Sequence, residues 1–374
     1  MHGWLNVCVG DVTGALRQAL AALLQAGVVD ALLTPLQGPA VGAVTPALVR
    51  DPARLSEAAP LAPTFPLNSA TLAGHLTKTL PQGRIGVWLR PCEVRALVEL
   101  AKLKQAQVER LFVISMDCLG ACPLDADSAA LARPGLPAPL PSAALREACA
   151  LCEQPVPGRP AEAGAAQAYQ PDLAFGWLGV AEGPGLWVQA QDPRVGEALG
   201  LQPGPAPEGR EAAIQGLLAE RTAAREAAMA ATRARLAGPD GLLEFFAPCI
   251  RCHNCMVNCP ICYCPECIFR TPTFQHLSTQ YVDWVQRKGA IRMPTDTLLF
   301  HLTRLNHMVT SCVGCGMCSE ACPAGIPVAT VFRTVGQGVQ ALFHYLPGRS
   351  LEEEVPLATF REDELGALAE GYLG

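Results

Sequence analysis

Two stretches of this chain repeat one cysteine spacing. Cys249, Cys252, Cys255 and Cys259 are followed by Pro260, and Cys312, Cys315, Cys318 and Cys322 are followed by Pro323, so C-x2-C-x2-C-x3-C-P occurs twice. A backbone that gathers four thiols within eleven residues has to fold around whatever the sulfurs hold. Three cysteines spaced two apart fit one tight loop. The fourth leaves the loop on the element that follows.

The opening "MHGWLNVCVGDVTG" shows no charged segment leading into an apolar one, so no export signal is read and a cytoplasmic location is expected. Disulfides seldom persist there, and seventeen cysteines point instead to metal or redox groups. Zinc ribbons close with two C-x2-C pairs or add histidines; they need neither a third cysteine nor C-P on each side. The doubled run is the one that holds four-iron clusters in bacterial ferredoxins, where the fourth cysteine of each run serves the other cluster. The expected sets are Cys249, Cys252, Cys255 and Cys322 on one [4Fe-4S] cluster, and Cys312, Cys315, Cys318 and Cys259 on a second. Cys262, Cys264 and Cys267 in "ICYCPEC" belong to neither run. They either give three ligands to a fourth cluster, completed by a partner chain or another loop, or are buried thiols that shield their neighbours.

With 374 residues, half of them hydrophobic, the chain has material for two or three cores. A net charge of −6 without a Lys/Arg run argues against nucleic acid. No uninterrupted span of ~20 apolar residues suits a membrane helix. Hydrolase signatures of the Walker, G-x-S-x-G or H-E-x-x-H kind are missing from the sequence.

The pattern predicts an α/β region over 1–210, a connecting helix over 211–240, the cysteine module over 241–330 and a tail over 331–374. "GRIGVWLR" and "RLFVISMD" read as buried strands, with "CEVRALVELAKLK" as the helix between them. "DLAFGWLGV" and "GLWVQAQ" read as further strands. The Pro-rich 131–165 stretch reads as a long loop or linker. The Ala-rich segment from Glu211 to Leu236 reads as an exposed helix stopped by Gly238-Pro239. A short helix-like pattern follows in the tail. Between the cysteine runs, "FQHLSTQYVDWVQRKG" and "TDTLLFHLTRLNHM" look helical, with Thr295 as an N-cap. An insert of that kind makes the module resemble the α-helical ferredoxin domains of succinate dehydrogenase and heterodisulfide reductase iron–sulfur subunits. His253 and His307 stand beside the runs, either to hydrogen-bond a cluster sulfur or as ordinary surface histidines.

In the α/β region, Cys92 follows a strand at a helix start, where free N–H groups favour an anionic group. Cys118 follows the next strand, so both can face one crevice at the carboxyl end of a sheet. Cys149 and Cys152 form a C-x2-C pair that would complete four ligands; alternatively all four are isolated core and loop cysteines. Cys8 and Cys122 have no assigned partner.

"DVTGALRQALAALLQAGVVDALLTP", "PLNSATL", "GRIGVWLRPCEVRALVELAKLKQ", "FVISMDCLGACP", "CALCEQP" and "PDLAFGWLGV" together resemble the beta subunit of coenzyme F-420 hydrogenase and formate dehydrogenase. The resemblance implies FAD and a third [4Fe-4S] cluster, the latter on Cys92, Cys118, Cys149 and Cys152. It implies flavin contacts at Gly10, Asp11, Thr13 and Gly14, at Asn68 and Ser69, and at Arg90. It also implies a catalytic partner, a formate dehydrogenase or hydrogenase subunit, with other iron–sulfur subunits. Two departures stand out: Leu89-Arg90-Pro91-Cys92 replaces a Gly-Thr-Pro-Cys stretch common in the hydrogenase members, and the ferredoxin part follows the first domain rather than preceding it. The tail resembles the formate-dehydrogenase branch, which places reduction of F-420 itself in doubt. The expectation is an electron-transfer flavo-iron–sulfur subunit; the alternative is a flavin-free relay or docking subunit of a heterodisulfide reductase-like complex.

Overall fold

The structure is a computed structural model that describes residues 1–8, 10–39, 43–80, 83–126, 140–159, 168–180, 185–238, 240–275, 277–289, 295–356, 358 and 359. Eight strands form its sheet: β1 His2–Asn6, β2 Ala31–Gln37, β3 Val44–Val49, β4 Ile85–Leu89, β5 Leu111–Met116, β6 Leu173–Gly176, β7 Gly185–Ala190 and β8 Gln202–Pro203. Their order is β3-β2-β4-β5-β6-β7-β1-β8. Strands β2, β4, β5 and β6 are parallel, and β7 runs antiparallel to both β6 and β1. The carboxyl ends of β1, β2, β4, β5 and β6 therefore open at one end of the sheet, the end where such folds place ligands.

Alternation along the central strands sends side chains to both faces. Trp88, Phe112 and Ile114 face α1 (Val12–Gln25), whose Leu16, Leu20 and Leu23 recur on one side of the helix. Leu33, Val87, Leu89 and Val113 face the opposite layer. That layer holds α2 (Ala70–Thr79) and α3 (Pro91–Lys102). Pro91 suits the first turn of α3, and Glu93 closes it by accepting from the Arg90 N–H at 2.8 Å and the Ser69 N–H at 2.7 Å.

The same apolar layer continues into the cysteine module. Phe246, Met256, Phe300, Val331 and Phe332 pack in one cluster with Leu97 and Val113. The module's helices are α7 Gly241–Phe246, α8 Asn254–Val257, α9 Ser278–Lys288, α10 Thr295–Met308, α11 Met317–Glu320 and α12 Val328–Leu342. Between the regions lie α4 Glu147–Ala150, α5 Pro193–Ala198 and α6 Arg210–Leu236.

The helix α6 is more than a connector. It buries Ile214, Arg221 and Met229, packs against α12, and donates from Arg221 to the Leu119 carbonyl at 2.7 Å. Its first residue, Arg210, pairs with the buried Asp117 at 2.6 Å. Helix α10 begins at Thr295, and the side chain predicted to cap it lies outside the described residues. Much of the predicted 131–165 loop and the helix-like pattern in the tail also fall outside them, as does Pro239.

Candidate iron–sulfur centres

The two cysteine runs fold alike. Arg251 and His253 in the first have φ of 59° and 60°; Gly314 and Gly316, at the equivalent places in the second, have 71° and 78°. Each loop turns twice through left-handed backbone and then enters a single helical turn, α8 or α11. Such turns aim N–H groups at the inside of the loop. The Arg251 N–H serves the Cys249 sulfur, and the Gly314 N–H serves Cys312. Glycine adopts this backbone freely, whereas a side-chain residue loses about 1–2 kcal/mol. Arg251 has compensating contacts: its guanidinium pairs with Asp296 and donates to the Tyr281 hydroxyl at 3.2 Å and the Phe274 carbonyl at 2.9 Å.

Helices α8 and α11 lie against each other and carry their last cysteines across. Cys322 joins Cys249, Cys252 and Cys255 around one cavity, closed on its inner side by Phe300, His301, Ile326 and Val328, with an empty volume of about 320 Å³ including its mouth. Cys259 comes to Cys312, Cys315 and Cys318. Burial, and then Cys259, pushes the Cys315 thiol up to about 12 and raises Cys312 and Cys318 as well. Thiols desolvated to this degree release their protons to a metal far more readily than to water.

A third set stands beside the second. Cys92 lies in the first turn of α3 and Cys118 just beyond β5; burial raises the Cys92 thiol strongly, followed by Glu93, Cys315, Cys118 and Cys152. Cys149, on α4, accepts from the Arg146 guanidinium at 3.7 Å. Cys92, Cys149 and Cys315 all pack on the small cluster of Phe65, Ala121 and Met317. The contact between the two loops is tight: a Cβ on Gly316 would come within 2.4 Å of the Ala148 Cβ. The three sets thus form a row with the second in the middle.

Cys262 is pushed up to about 11 by burial and then by Cys259, Cys267 and Cys264; Cys264 is exposed, and Cys267 lies 3.7 Å from the Met256 sulfur. Among the described residues no three Cys, His, Asp or Glu side chains stand close enough to hold a single metal ion. A zinc site brings its thiolates to ~2.3 Å of one ion. A four-iron cubane spreads its thiolates over four separate irons, and the crossed sets suit that larger group.

Buried donors answer the thiols. Arg304 donates to the Cys255 sulfur at 3.2 Å and its carbonyl at 2.9 Å. His301 brings Nε2 to 3.3 Å from the Cys249 sulfur and stacks on Phe246 with centroids 3.8 Å apart. Burial, then Arg304 and His253, hold its imidazole down to about 3. Arg333 donates to the Leu151 carbonyl and to Glu153, tying α12 to the Cys149–Cys152 loop. Of the two histidines singled out in the sequence, His253 packs on Phe300 at 4.6 Å and His307 is exposed. Sequence reasoning missed His301 and Arg304. Their signal was there: Thr297, His301, Arg304 and Met308 fall on one buried face of α10, where polar residues are out of place.

The stretches matched to a flavin lie at the open end of the sheet. Gly10 has φ 82° with nothing within 4 Å of a Cβ position; Asp11 caps α1 through the Gly14 N–H at 2.7 Å, and Thr13 lies in the helix's first turn. Asn68 is buried, its Oδ1 accepting from the Ala70 N–H, its Nδ2 without a partner. Arg90 donates to the Ala62 carbonyl at 2.6 Å and lies 4.5 Å over the Phe65 ring, so it holds the crevice wall. Strands β5, β6 and β7 separate the two stretches, roughly 19 Å at the usual strand spacing.

Residues 246–326 match the family of 4Fe-4S dicluster domains. The carboxyl-terminal module is a 4Fe-4S dicluster domain. Outside it as well as within it, the chain is similar to the beta subunit of an F420-dependent formate dehydrogenase from Methanocaldococcus jannaschii, 25% identical over 91% of this chain and 92% of that protein. The beta subunit of F420-dependent formate dehydrogenase 1 from Methanococcus maripaludis is 24% identical over 93% of each. These relatives agree with the resemblance read from the sequence. Among solved structures, a chain of the F420-reducing [NiFe] hydrogenase complex from Methanosarcina barkeri superposes with a TM-score of 0.45 at 13% identity, over 59% of this chain and 87% of that one. The dicluster domain is therefore joined to an α/β region whose own cysteine set abuts it. Among the described residues no helix is long and apolar enough to cross a membrane.

Proposed function

We propose that the chain is an electron-transfer subunit of a formate dehydrogenase- or hydrogenase-type complex, with [4Fe-4S] clusters on three cysteine sets: Cys249, Cys252, Cys255 and Cys322; Cys312, Cys315, Cys318 and Cys259; and Cys92, Cys118, Cys149 and Cys152. The observation that carries the reading is the row itself. It runs from the exposed Cys252, through the half-buried second set, to Cys92 at the carboxyl end of β4. Cations line it, which suits groups that gain negative charge when reduced.

The crevice above β1, β4 and β5 is read as the flavin site. The open space over Gly10, the start of α1 and the unpartnered amide of Asn68 fit an extended dinucleotide. A flavin there would supply exchange between paired and single electrons. The relatives are subunits of formate dehydrogenases, which suggests a formate-oxidising catalytic partner.

Iron, acid-labile sulfide, zinc and released flavin, measured on anaerobically prepared full-length chain, test this reading. Three clusters give about twelve irons per chain. Near eight removes the third set, and near sixteen adds one at Cys262, Cys264 and Cys267. One flavin per chain supports the crevice; none, after reconstitution, turns the reading to the flavin-free relay. Zinc in place of iron overturns it altogether.

A further inference from the structure

The internal repeat supplies its own control. Both three-cysteine loops have the same left-handed turns; the Arg251 N–H serves Cys249 in the first, and the Gly314 and Met317 N–H groups serve Cys312 and Cys315 in the second, so the backbone gives the first set no advantage. Their side-chain surroundings differ. Helix α10 presents His301 Nε2 to the Cys249 sulfur at 3.3 Å and the Arg304 guanidinium to the Cys255 sulfur at 3.2 Å. Among the described residues no side-chain N–H reaches the sulfur of Cys259, Cys312, Cys315 or Cys318. The third set has one long contact, Arg146 to Cys149 at 3.7 Å.

A ligating thiolate only accepts, so His301 must be protonated at Nε2 when it meets one. Both donors are buried, His301 to 1% exposure and Arg304 to 3%, where a fixed dipole or charge acts with little screening. An N–H aimed at a cluster sulfur stabilises the reduced, more negative state and raises the reduction potential. The charge of Arg304 acts most on Cys255 and less on Cys259 and Cys318. Other guanidinium charges reach the second set, Arg333 and Arg95 at Cys312 and Arg146 at Cys315. What distinguishes the first set is therefore its direct side-chain hydrogen bonds to sulfur.

We propose that His301 and Arg304 make the cluster on Cys249, Cys252, Cys255 and Cys322 the higher-potential member of the dicluster pair, so that an electron in the chain settles at its exposed end. The two residues are positioning groups for electron flow and lie outside the ligand sets. The inference rests on the cluster assignment above and adds a direction to it. An electron waiting beside the exposed Cys252 is placed for transfer to a second redox protein.

The test is an anaerobic redox titration of the full-length, cluster-loaded chain followed by electron paramagnetic resonance. Wild type should show two distinct dicluster potentials, and Cys252→Ser should alter the signal of the higher one. His301→Leu should lower that potential by at least tenfold in the reduction constant, ~59 mV for one electron, and leave the iron content and the other potential in place. His301→Gln keeps an N–H at the same reach and should recover most of the shift. If the leucine variant loses iron, His301→Asn, whose amide is too short to reach, replaces it against His301→Gln. Superposed titrations at equal iron content overturn the proposal, as does Cys252→Ser marking the lower potential. A wild-type chain that binds no iron overturns the cluster assignment instead.

Discussion

Replacing Gly316 by alanine isolates the contact between the dicluster domain and the α/β region. Two costs combine there. The residue sits at φ 78°, where a Cβ costs about 1–2 kcal/mol, and the new methyl would stand 2.4 Å from the Ala148 Cβ. Relieving that overlap moves one loop off the other at about 1–3 kcal/mol, so the full effect is about 2–5 kcal/mol. Gly289 ends α9 at φ 72° with nothing within 4 Å of a Cβ position. Gly289→Ala therefore carries only the backbone cost, about 1–2 kcal/mol. Anaerobic guanidinium unfolding of both variants, followed by cluster absorbance and circular dichroism, measures the difference. The displaced loop carries Cys315 away from α4 and Cys149, so Gly316→Ala should also lose iron from the third set before the first. Equal destabilisation by the two alanines, with equal iron retained, would refute the tight approach of the two loops.

The crossing of the fourth cysteines makes a sharp prediction: Cys322→Ser should deplete the cluster of the other run, and Cys259→Ser that of the second, as read by signals assigned through Cys252→Ser. Glu99 is fully buried, pairs with Lys102 at 2.8 Å and accepts from the Tyr345 hydroxyl at 2.6 Å and the Gly348 N–H at 2.7 Å. Glu99→Ala leaves Lys102 uncompensated and should cost about 3–5 kcal/mol in denaturant unfolding, with faster proteolysis near Tyr345; a loss under 1 kcal/mol would contradict the network. Glu211 is held down to about 2 by Arg159 and then Gln215. Its folded-state pKa lies below the unfolded value, so its stabilisation is present above about pH 4.3 and disappears as the pH falls toward about 2. The pair is largely exposed, so the effect is small and weakens with salt. Wild type and Glu211→Gln should differ in low salt near neutral pH and converge in acid.

The chemistry was more legible than the layout. Ligand spacing follows from the size of the group to be held, so both cysteine runs announce themselves, and 246–326 match the dicluster family. The central strands also stood out, because β4 and β5 are buried on both faces and read as continuous apolar runs. Strands β1 and β3 escaped: β1 is short, with a polar residue at each end, and β3 is an edge strand with Pro46 in it. The exposed character expected of α6 came from its average composition, whereas its docking depends on the few buried residues Ile214, Arg221 and Met229 and on helix α12, more than ninety residues away. Nor could cysteine spacing reveal the donors on α10. His301 and Arg304 meet the sulfurs only because α10 folds back over a loop some fifty residues earlier.

The apolar layer shared by the sheet and the dicluster domain has a practical consequence for anyone wishing to reuse this wiring. Phe246, Phe300 and Phe332 are buried against the same cluster as Leu97 and Val113, so the conductor is soldered to its chassis. A graft of residues 246–326 onto a foreign enzyme would carry that greasy underside into water and should aggregate. Only a cassette that brings α3 and α12 along would keep the spacing of the redox centres fixed in its new host.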